Sequence, residues 1–456
     1  HISIPHDDRL QVLAAMGCDV VSDEAINRKV FELDAQPWMS WLSPVHIVHQ
    51  AVGSSVDIRV APDDQDQLFS CVITLESGRV IESQLTPAEL PEVGNYYIGD
   101  VRYSARRMTL SNLPLGYHQL TLSTGGESQS TTLIVSPGEC YKPAGISEGH
   151  KPWGISCQLY TLRSDSNWGI GDFSDLLTLI ECSAPLGVNM IGLNPLHAPL
   201  LSGTDFASPY SPSDRRFLNP LYINIERSQD FIDNPAAVAL TQSRTYQFKL
   251  KNLRDTELVD YNEVRTLKWA MFETMFTYFE REHLRRQTPR ALQFLAYVEH
   301  GGQMLQAFAD FEAAQYTNLV PANNAQFHQY LQWQANAQLQ RCQAAALNAG
   351  MTVGLVGDLA VGAIREGAEV ASDRALFNRE ASIGAPPDPL AAQGQNWNLP
   401  AINPIELRAQ GYQHFVSLLR SNMACYGALR IDHVLGLLRL WWCLPGLRDG
   451  GAYVYY

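Results

Sequence analysis

Residues 351–361 read MTVGLVGDLAV. The run is almost wholly apolar until Asp358, and it is too short for a typical helix. A strand buried on both faces has this character, and such strands belong to parallel sheets whose faces are covered by helices. The same texture recurs along the chain. WGISCQLYTL (153–162) and VNMIGLNPLHA (188–198) precede it as two buried strands, and GALRID (427–432) follows as a fourth. After the first strand comes the loop NWGIGDF (167–173), where Asp172 is placed to cap the helix DLLTLIECSAPLG. Residues 226–350 read as mostly helical, as in EVRTLKWAMFETMFTYFEREH, and a helix over 405–425 leads into the fourth strand. Alternating strands and helices predict a parallel α/β sheet, and four such units make half of an eightfold (β/α)8 barrel. A half barrel exposes long parallel edges, which are liabilities, so the sequence reads as unfinished.

Ahead of this region the pattern differs. Residues 6–35 look helical, with apolar positions at Leu10, Val12, Leu13, Met16, Val30, Phe31 and Leu33. From about 40 to 136, short alternating runs such as VDIRVAP, LFSCVITLE and YHQLTLST are separated by Gly, Pro, Asp and Ser. This spacing predicts a small antiparallel β-sandwich. It would bind carbohydrate or pack as a spacer. The expected organisation is a helical segment (1–39), a sandwich (40–137), a linker PGECYKPAG (137–145) and a barrel region (138–456) with its helical insertion at about 226–350.

The 456 residues carry a formal net charge of −14, with 46% apolar and 18% charged residues. Phosphate recognition needs a local Lys/Arg excess, and no basic stripe is present, which argues against nucleic-acid and anionic-membrane partners. The eight cysteines form no CxxC and have no metal-ligand spacing. They are expected to be buried free thiols, which fits a reducing, cytoplasmic location. No apolar run is long enough to span a bilayer, and HISIPHDDRL has no signal-peptide core.

In a parallel barrel, functional side chains sit at the C-terminal ends of the strands. Asp358 ends the third strand and Asp432 the fourth, so both carboxylates are expected on one rim. Arg430 lies two residues before Asp432, and strand alternation points both to the same side. An adjacent Arg favours an ionised carboxylate, as a glycosidic nucleophile requires. From spacing alone, an Arg–Asp pair that merely closes the barrel interior remains an equal alternative.

RIDHVLGLLRLWW resembles the fourth-strand motif of the amylomaltases, the 4-α-glucanotransferases of glycoside hydrolase family 77. LYTLRSDSNWGIGDF, LNPLHA, SPYSPSDRRFLNPLYINI, GLVGDLAVG and SIGAPPDPLAAQGQNWNLP resemble further segments of that family, in the same order. The N-terminal sandwich and helical segment look like the extension of the bacterial maltose-pathway type. The resemblance implies that Asp432 is the nucleophile, Arg430 its electrostatic partner, and His433 a donor-site contact. It places Asp358 near the donor-site sugar or in a rim-structuring role. Ser208 and Tyr210 match substrate-contacting positions, although loop packing also accounts for Tyr210. Residues 384–400 resemble a lid over the site: Pro386 and Pro387 stiffen it, Gly384 and Gly394 permit turns, and Gln395, Asn396 and Trp397 suit a sugar. Trp397 would otherwise pack inward, and Trp168 divides evenly between core and site.

The implied reaction is retaining double displacement on α-1,4-glucan, that is, on maltodextrins, with no metal or organic cofactor. The family's acid/base Glu and third carboxylate belong to later strands, so residues 1–456 alone are expected to be inactive. Glu366 and Glu369 are better explained by a loop or helix start. Two other readings stand beside this one: a non-catalytic glucan-binding protein and a hydrolytic α-amylase relative.

Overall fold

The computed structural model describes residues 4–50, 53–110, 112–142, 146, 151–203, 207–316, 319–447 and 450–456. Of the expected linker, 143–145 lie outside the described residues. The chain divides into two compact units. One comprises His1–Lys142, Ile402–Val416 and Leu444–Ala452; the other comprises Pro143–Ala401, Ser417–Cys443 and Tyr453–Tyr456.

The first unit opens with α1 (His6–Ala15) and α2 (Asp23–Ala35). Gly17, at φ +84°, turns the chain between them, and the Ser22 side chain caps α2 by accepting from the Ala25 N–H. Eight strands follow: β1 (Val45–His49), β2 (Ser55–Val60), β3 (Phe69–Thr74), β4 (Val80–Leu85), β5 (Glu92–Ile98), β6 (Val101–Thr109), β7 (Gly116–Thr124) and β8 (Glu127–Ser136). They form a five-stranded sheet, β1-β8-β7-β3-β4, and a three-stranded sheet, β2-β6-β5. Alternate residues, such as Val56, Ile58 and Val60 on β2 and Phe69, Cys71 and Ile73 on β3, are buried together. The sandwich is not purely antiparallel, because β1 pairs with β8 in parallel. β4 and β5 escaped the sequence reading. Both are edge strands, and VIESQL and EVGNYYI carry mostly exposed or half-buried residues, so their apolar alternation is weak.

The second unit begins with β9 (Gly154–Cys157), α3 (Phe173–Ser183) and β10 (Met190–Leu193). Asp172 caps α3 in a reciprocal box with Asp175, as its position suggested. A short hairpin follows, β11 (His197–Ala198) and β12 (Asp214–Leu218). Six helices come next: α4 (Gln229–Ile232), α5 (Pro235–Gln242), α6 (Arg244–Asp255), α7 (Tyr261–Phe279), α8 (Pro289–Ala314) and α9 (Ala325–Asn348). Then come β13 (Gly354–Leu359), α10 (Ala368–Ser372), β14 (Phe377–Ala385) and β15 (Gln395–Ile402). The helix expected over 405–425 is two, α11 (Pro404–Ala409), which belongs to the first unit, and α12 (Gln413–Met423), which begins in the first unit and ends in the second. Gly411 and Tyr412, at φ +61° and +60°, break it. The chain continues through β16 (Ala428–Ile431), β17 (Arg439–Cys443) and β18 (Gly451–Tyr455).

Strands β9, β10, β13 and β16 form one parallel sheet in chain order. Chain-order neighbours with intervening helices are the pattern of consecutive barrel strands. The apolar core joins Ile191 and Leu355 of this sheet to Phe173, Leu176 and Ile180 of α3 and Leu339 and Cys342 of α9. Trp168 belongs to this core: it is 2% exposed, its Nε1 donates to Glu226, and its ring lies edge-on to Tyr246. A second sheet, β15-β14-β17-β18, in which β14 and β17 pair antiparallel, carries Gln395, Asn396 and Trp397.

Candidate active site

β13 and β16 run side by side, and Asp358 and Arg430 are register partners. Arg430 Nη1 donates to both Asp358 oxygens at 2.6 Å, and its Nη2 donates to Asp432 Oδ1 at 2.8 Å. Strand alternation thus brings Arg430 and Asp432 together as the spacing required. The Asp358 side chain is 6% exposed, Asp432 27% and Arg430 55%, so the pair opens outward from a buried carboxylate. Hydrogen bonding to Asp358 raises the Arg430 pKa further above its ordinary value. Asp432 follows the last residue of β16, yet its N–H still donates to the Leu359 carbonyl at 3.1 Å.

Tyr210 comes from the loop between β11 and β12. Its hydroxyl donates to Asp358 Oδ2 at 3.0 Å. Burial, reinforced by the Asp358 charge, raises the phenol's pKa and keeps it protonated. Ser208 Oγ accepts the Tyr210 N–H at 3.3 Å, so this side chain shapes the turn that presents Tyr210.

Gln395, Asn396 and Trp397 lie on β15 and not in a loop. Gly384, read from sequence as a turn residue, lies within β14, where a Cβ would come 1.9 Å from the Gln395 carbonyl oxygen. Its bare backbone permits a close approach of two strands. Gly394 does sit in the turn, at φ +69°. The Trp397 ring meets the His433 ring edge to face, with centroids 5.0 Å apart. His433 holds a left-handed backbone (φ +49°, ψ +61°), uncommon for a residue other than glycine. Gln395 Oε1 accepts from Trp397 Nε1 at 3.0 Å, whereas Asn396 Oδ1 accepts from Ser382 Oγ at 2.8 Å and holds the hairpin. Two groups therefore form, Asp358–Arg430–Asp432–Tyr210 and Gln395–Trp397–His433, joined where His433 follows Asp432. Ser208 and Asn396 support them.

Sequence reasoning missed the layer behind Asp358. His197, Arg215 and Glu369 are buried there; Arg215 is bonded to Glu369, and His197 accepts the Ala360 N–H. The available signal was a histidine and an arginine inside otherwise apolar or hairpin segments. Glu369, noted in sequence only as part of a loop or helix start, is paired with Arg215. Among the described residues, no three His, Cys, Asp or Glu side chains could hold a metal ion, and no helix is long and apolar enough to cross a membrane.

Residues 157–321 and 318–456 match the model of the 4-alpha-glucanotransferase family, glycoside hydrolase family 77. The chain belongs to that family. Residues 41–137 match the MalQ N-terminal beta sandwich domain. Among glycoside hydrolase family 77 relatives, the 4-alpha-glucanotransferase of Haemophilus influenzae is 35% identical over 451 residues, covering 89% of this chain and 64% of that protein. The 4-alpha-glucanotransferase of Mycobacterium tuberculosis (strain H37Rv) is 32% identical over 416 residues, covering 82% and 56%. The crystal structure of amylomaltase from Corynebacterium glutamicum superposes with a TM-score of 0.85 at 27% identity, covering 100% of this chain and 65% of that one. The fold is therefore the family's α/β barrel type with an N-terminal β-sandwich. The amylomaltase from Streptococcus agalactiae in complex with acarbose shares the fold at 17% identity and a TM-score of 0.54. The chain spans less than two thirds of the length of these family relatives.

Proposed function

We propose that this chain carries the nucleophile of a 4-α-glucanotransferase acting on maltodextrins. The observation that supports it best is the Asp432 carboxylate, part-exposed at the end of β16 and held 2.8 Å from Arg430. In the proposed reaction an Asp432 oxygen attacks the anomeric carbon of an α-1,4-linked glucan. The C1–O4 bond breaks, a carboxylic acid protonates the leaving oxygen, and a glucosyl ester forms on Asp432. A second sugar's 4-hydroxyl then attacks the same carbon, returns its proton to the acid/base group, and frees Asp432. Arg430 balances the carboxylate's charge between steps and aims it. Asp358 and Tyr210 border the donor sugar.

The leaving-group acid is not among the carboxylates assembled here. Asp358 accepts from Arg430 and Tyr210, and Glu369 is fully buried against Arg215. The Trp397 ring, set edge to face against His433, which follows Asp432, offers an aromatic surface suited to a sugar ring and to keeping water off the ester.

The test is incubation of the full-length protein with maltotriose. Glucose together with maltopentaose is the expected product pattern. Glucose and maltose without longer oligomers would mean hydrolysis, and binding without any product would mean a glucan-binding protein; either result overturns the proposal.

A further inference from the structure

Behind Asp358 lies a set of buried polar groups that the proposed chemistry does not touch. His197, on β11, is 6% exposed, and its Nε2 accepts the Ala360 N–H at 3.2 Å. A ring that accepts at Nε2 is neutral and carries its proton on Nδ1. Burial, with the nearby Arg215 charge, pushes its pKa down to about 3, so the acceptor form persists across any working pH.

Arg215, on β12, donates through Nη1 to the carbonyls of Ala360 at 3.1 Å and Val361 at 3.0 Å. In a regular strand, successive carbonyls point to opposite sides. A single nitrogen that takes both therefore fixes the chain where it turns out of β13. The other edge of the guanidinium faces Glu369, with Nε 3.1 Å from each oxygen and Nη2 2.5 Å from Oε1. The Arg215 backbone N–H adds a bond of 2.9 Å to Glu369 Oε2. Glu369 thus neutralises a cation that is 4% exposed.

The clamped stretch, 358–361, touches Asp432 by two routes. Leu359 accepts the Asp432 N–H, and Asp358 grips Arg430, which grips Asp432. We infer that His197 and Arg215, the latter neutralised by Glu369, are positioning residues that aim the Asp432 carboxylate through this stretch. The inference rests on reading Asp432 as the nucleophile. Misplacing a reacting group by about 1 Å costs roughly a hundredfold in rate, so a loosened clamp slows the chemical step more than it weakens binding.

The test uses the full-length protein and maltotriose, with kcat expressed per active site counted by a burst of an activated α-glucosyl donor. His197→Phe fills the ring's space without an acceptor, and His197→Gln keeps an acceptor near the Nε2 position. The Phe variant should lose about tenfold or more in kcat with KM within about twofold, and the Gln variant should recover most of the loss. If the Phe variant does not fold, His197→Asn replaces it, since its amide is too short to reach the Ala360 N–H. Unchanged kcat per site in the variant without an acceptor, or no recovery in the Gln variant, overturns the inference while leaving Asp432 in place. An unsubstituted protein that makes no longer oligomers overturns both readings.

Discussion

Arg430 faces Asp358 across the seam between two parallel strands, its Nη1 2.6 Å from each carboxylate oxygen. The same guanidinium reaches Asp432 with its other terminal nitrogen. One planar fork thus sets the spacing between a buried carboxylate and a part-exposed one. A lysine, as a point charge on a flexible stem, could hold either carboxylate but could not fix the distance between them.

Arg430→Lys should therefore lower kcat by about a hundredfold. The melting temperature should stay within a few degrees, because the Arg430 side chain is more than half exposed. Steady-state kinetics on maltotriose and a thermal melt check both halves. An active lysine variant would mean that charge alone suffices.

Asp432→Asn removes the attacking oxygen's charge while keeping its shape. Transfer should fall by about a thousandfold or more, with maltotriose binding retained in titration calorimetry. Loss of binding with an unaltered rate at saturation would point to a substrate-holding role instead.

Trp397→Ala removes the aromatic surface beside His433. Water should then compete for the glucosyl ester, raising the share of turnovers ending in hydrolysis about threefold or more. Reducing-end release counted against longer oligosaccharides reads this ratio. Gly384→Ala should act in the same direction, because its Cβ would push on the Gln395 carbonyl and shift β15.

Glu312 on α8 is buried beside Phe308, Trp269 and His328, and its Oε1 has no hydrogen-bond partner. Burial, with the Asp214 charge adding, pushes its carboxyl up to about 8 from an ordinary 4.5. Between those values the folded protein holds a proton that the unfolded chain releases. Stability is therefore highest below about pH 4.5 as far as this group is concerned, and it falls as pH rises towards 8. Glu312→Gln should flatten that slope and, at pH 9, raise the unfolding free energy by on the order of a few kcal/mol, and the melting temperature with it. Parallel melts at pH 5 and pH 9 decide it; equal slopes would show that Glu312 does not titrate in this range.

The cysteines of this chain give a simple probe of packing. All eight are free thiols; Cys140 and Cys182 are exposed, and Cys18, Cys71, Cys342 and Cys425 are buried. Burial also pushes Cys342 up to about 12 and Cys425 up to about 11, which removes reactive thiolate. Alkylation followed by peptide mapping should label Cys140 and Cys182 within minutes, Cys157 and Cys443 more slowly, and the buried four only after unfolding.

Much of the sheet was legible in single segments. MTVGLVGDLAV announces a buried parallel strand because both faces are apolar, whereas β16, read as buried in GALRID, is an edge strand of half-buried and exposed residues. Asp172 announces the start of α3 because one of its oxygens caps its own helix while the other accepts from Asn224. Arg430 and Asp432 could be paired on paper because they share one strand face. β4 and β5 could not be found, since edge strands lack the apolar alternation that marks a core strand. Trp397 was expected in a loop because the Pro- and Gly-rich turn beside it hides a hairpin that needs Gly384 opposite Gln395.

What the sequence determined by itself was local: where the strands of the parallel sheet and the capped helices lie, and that Arg430 and Asp432 share a side. Those properties depend on neighbours a few residues away, through strand alternation and helix capping. What only the tertiary structure decided were pairings between distant segments. Tyr210 meets Asp358 across 148 positions, and Arg215 meets Glu369 across 154. No periodicity encodes such meetings, because they follow from how the sheet and its hairpins pack. There the cost of an unpaired buried charge selects the partner.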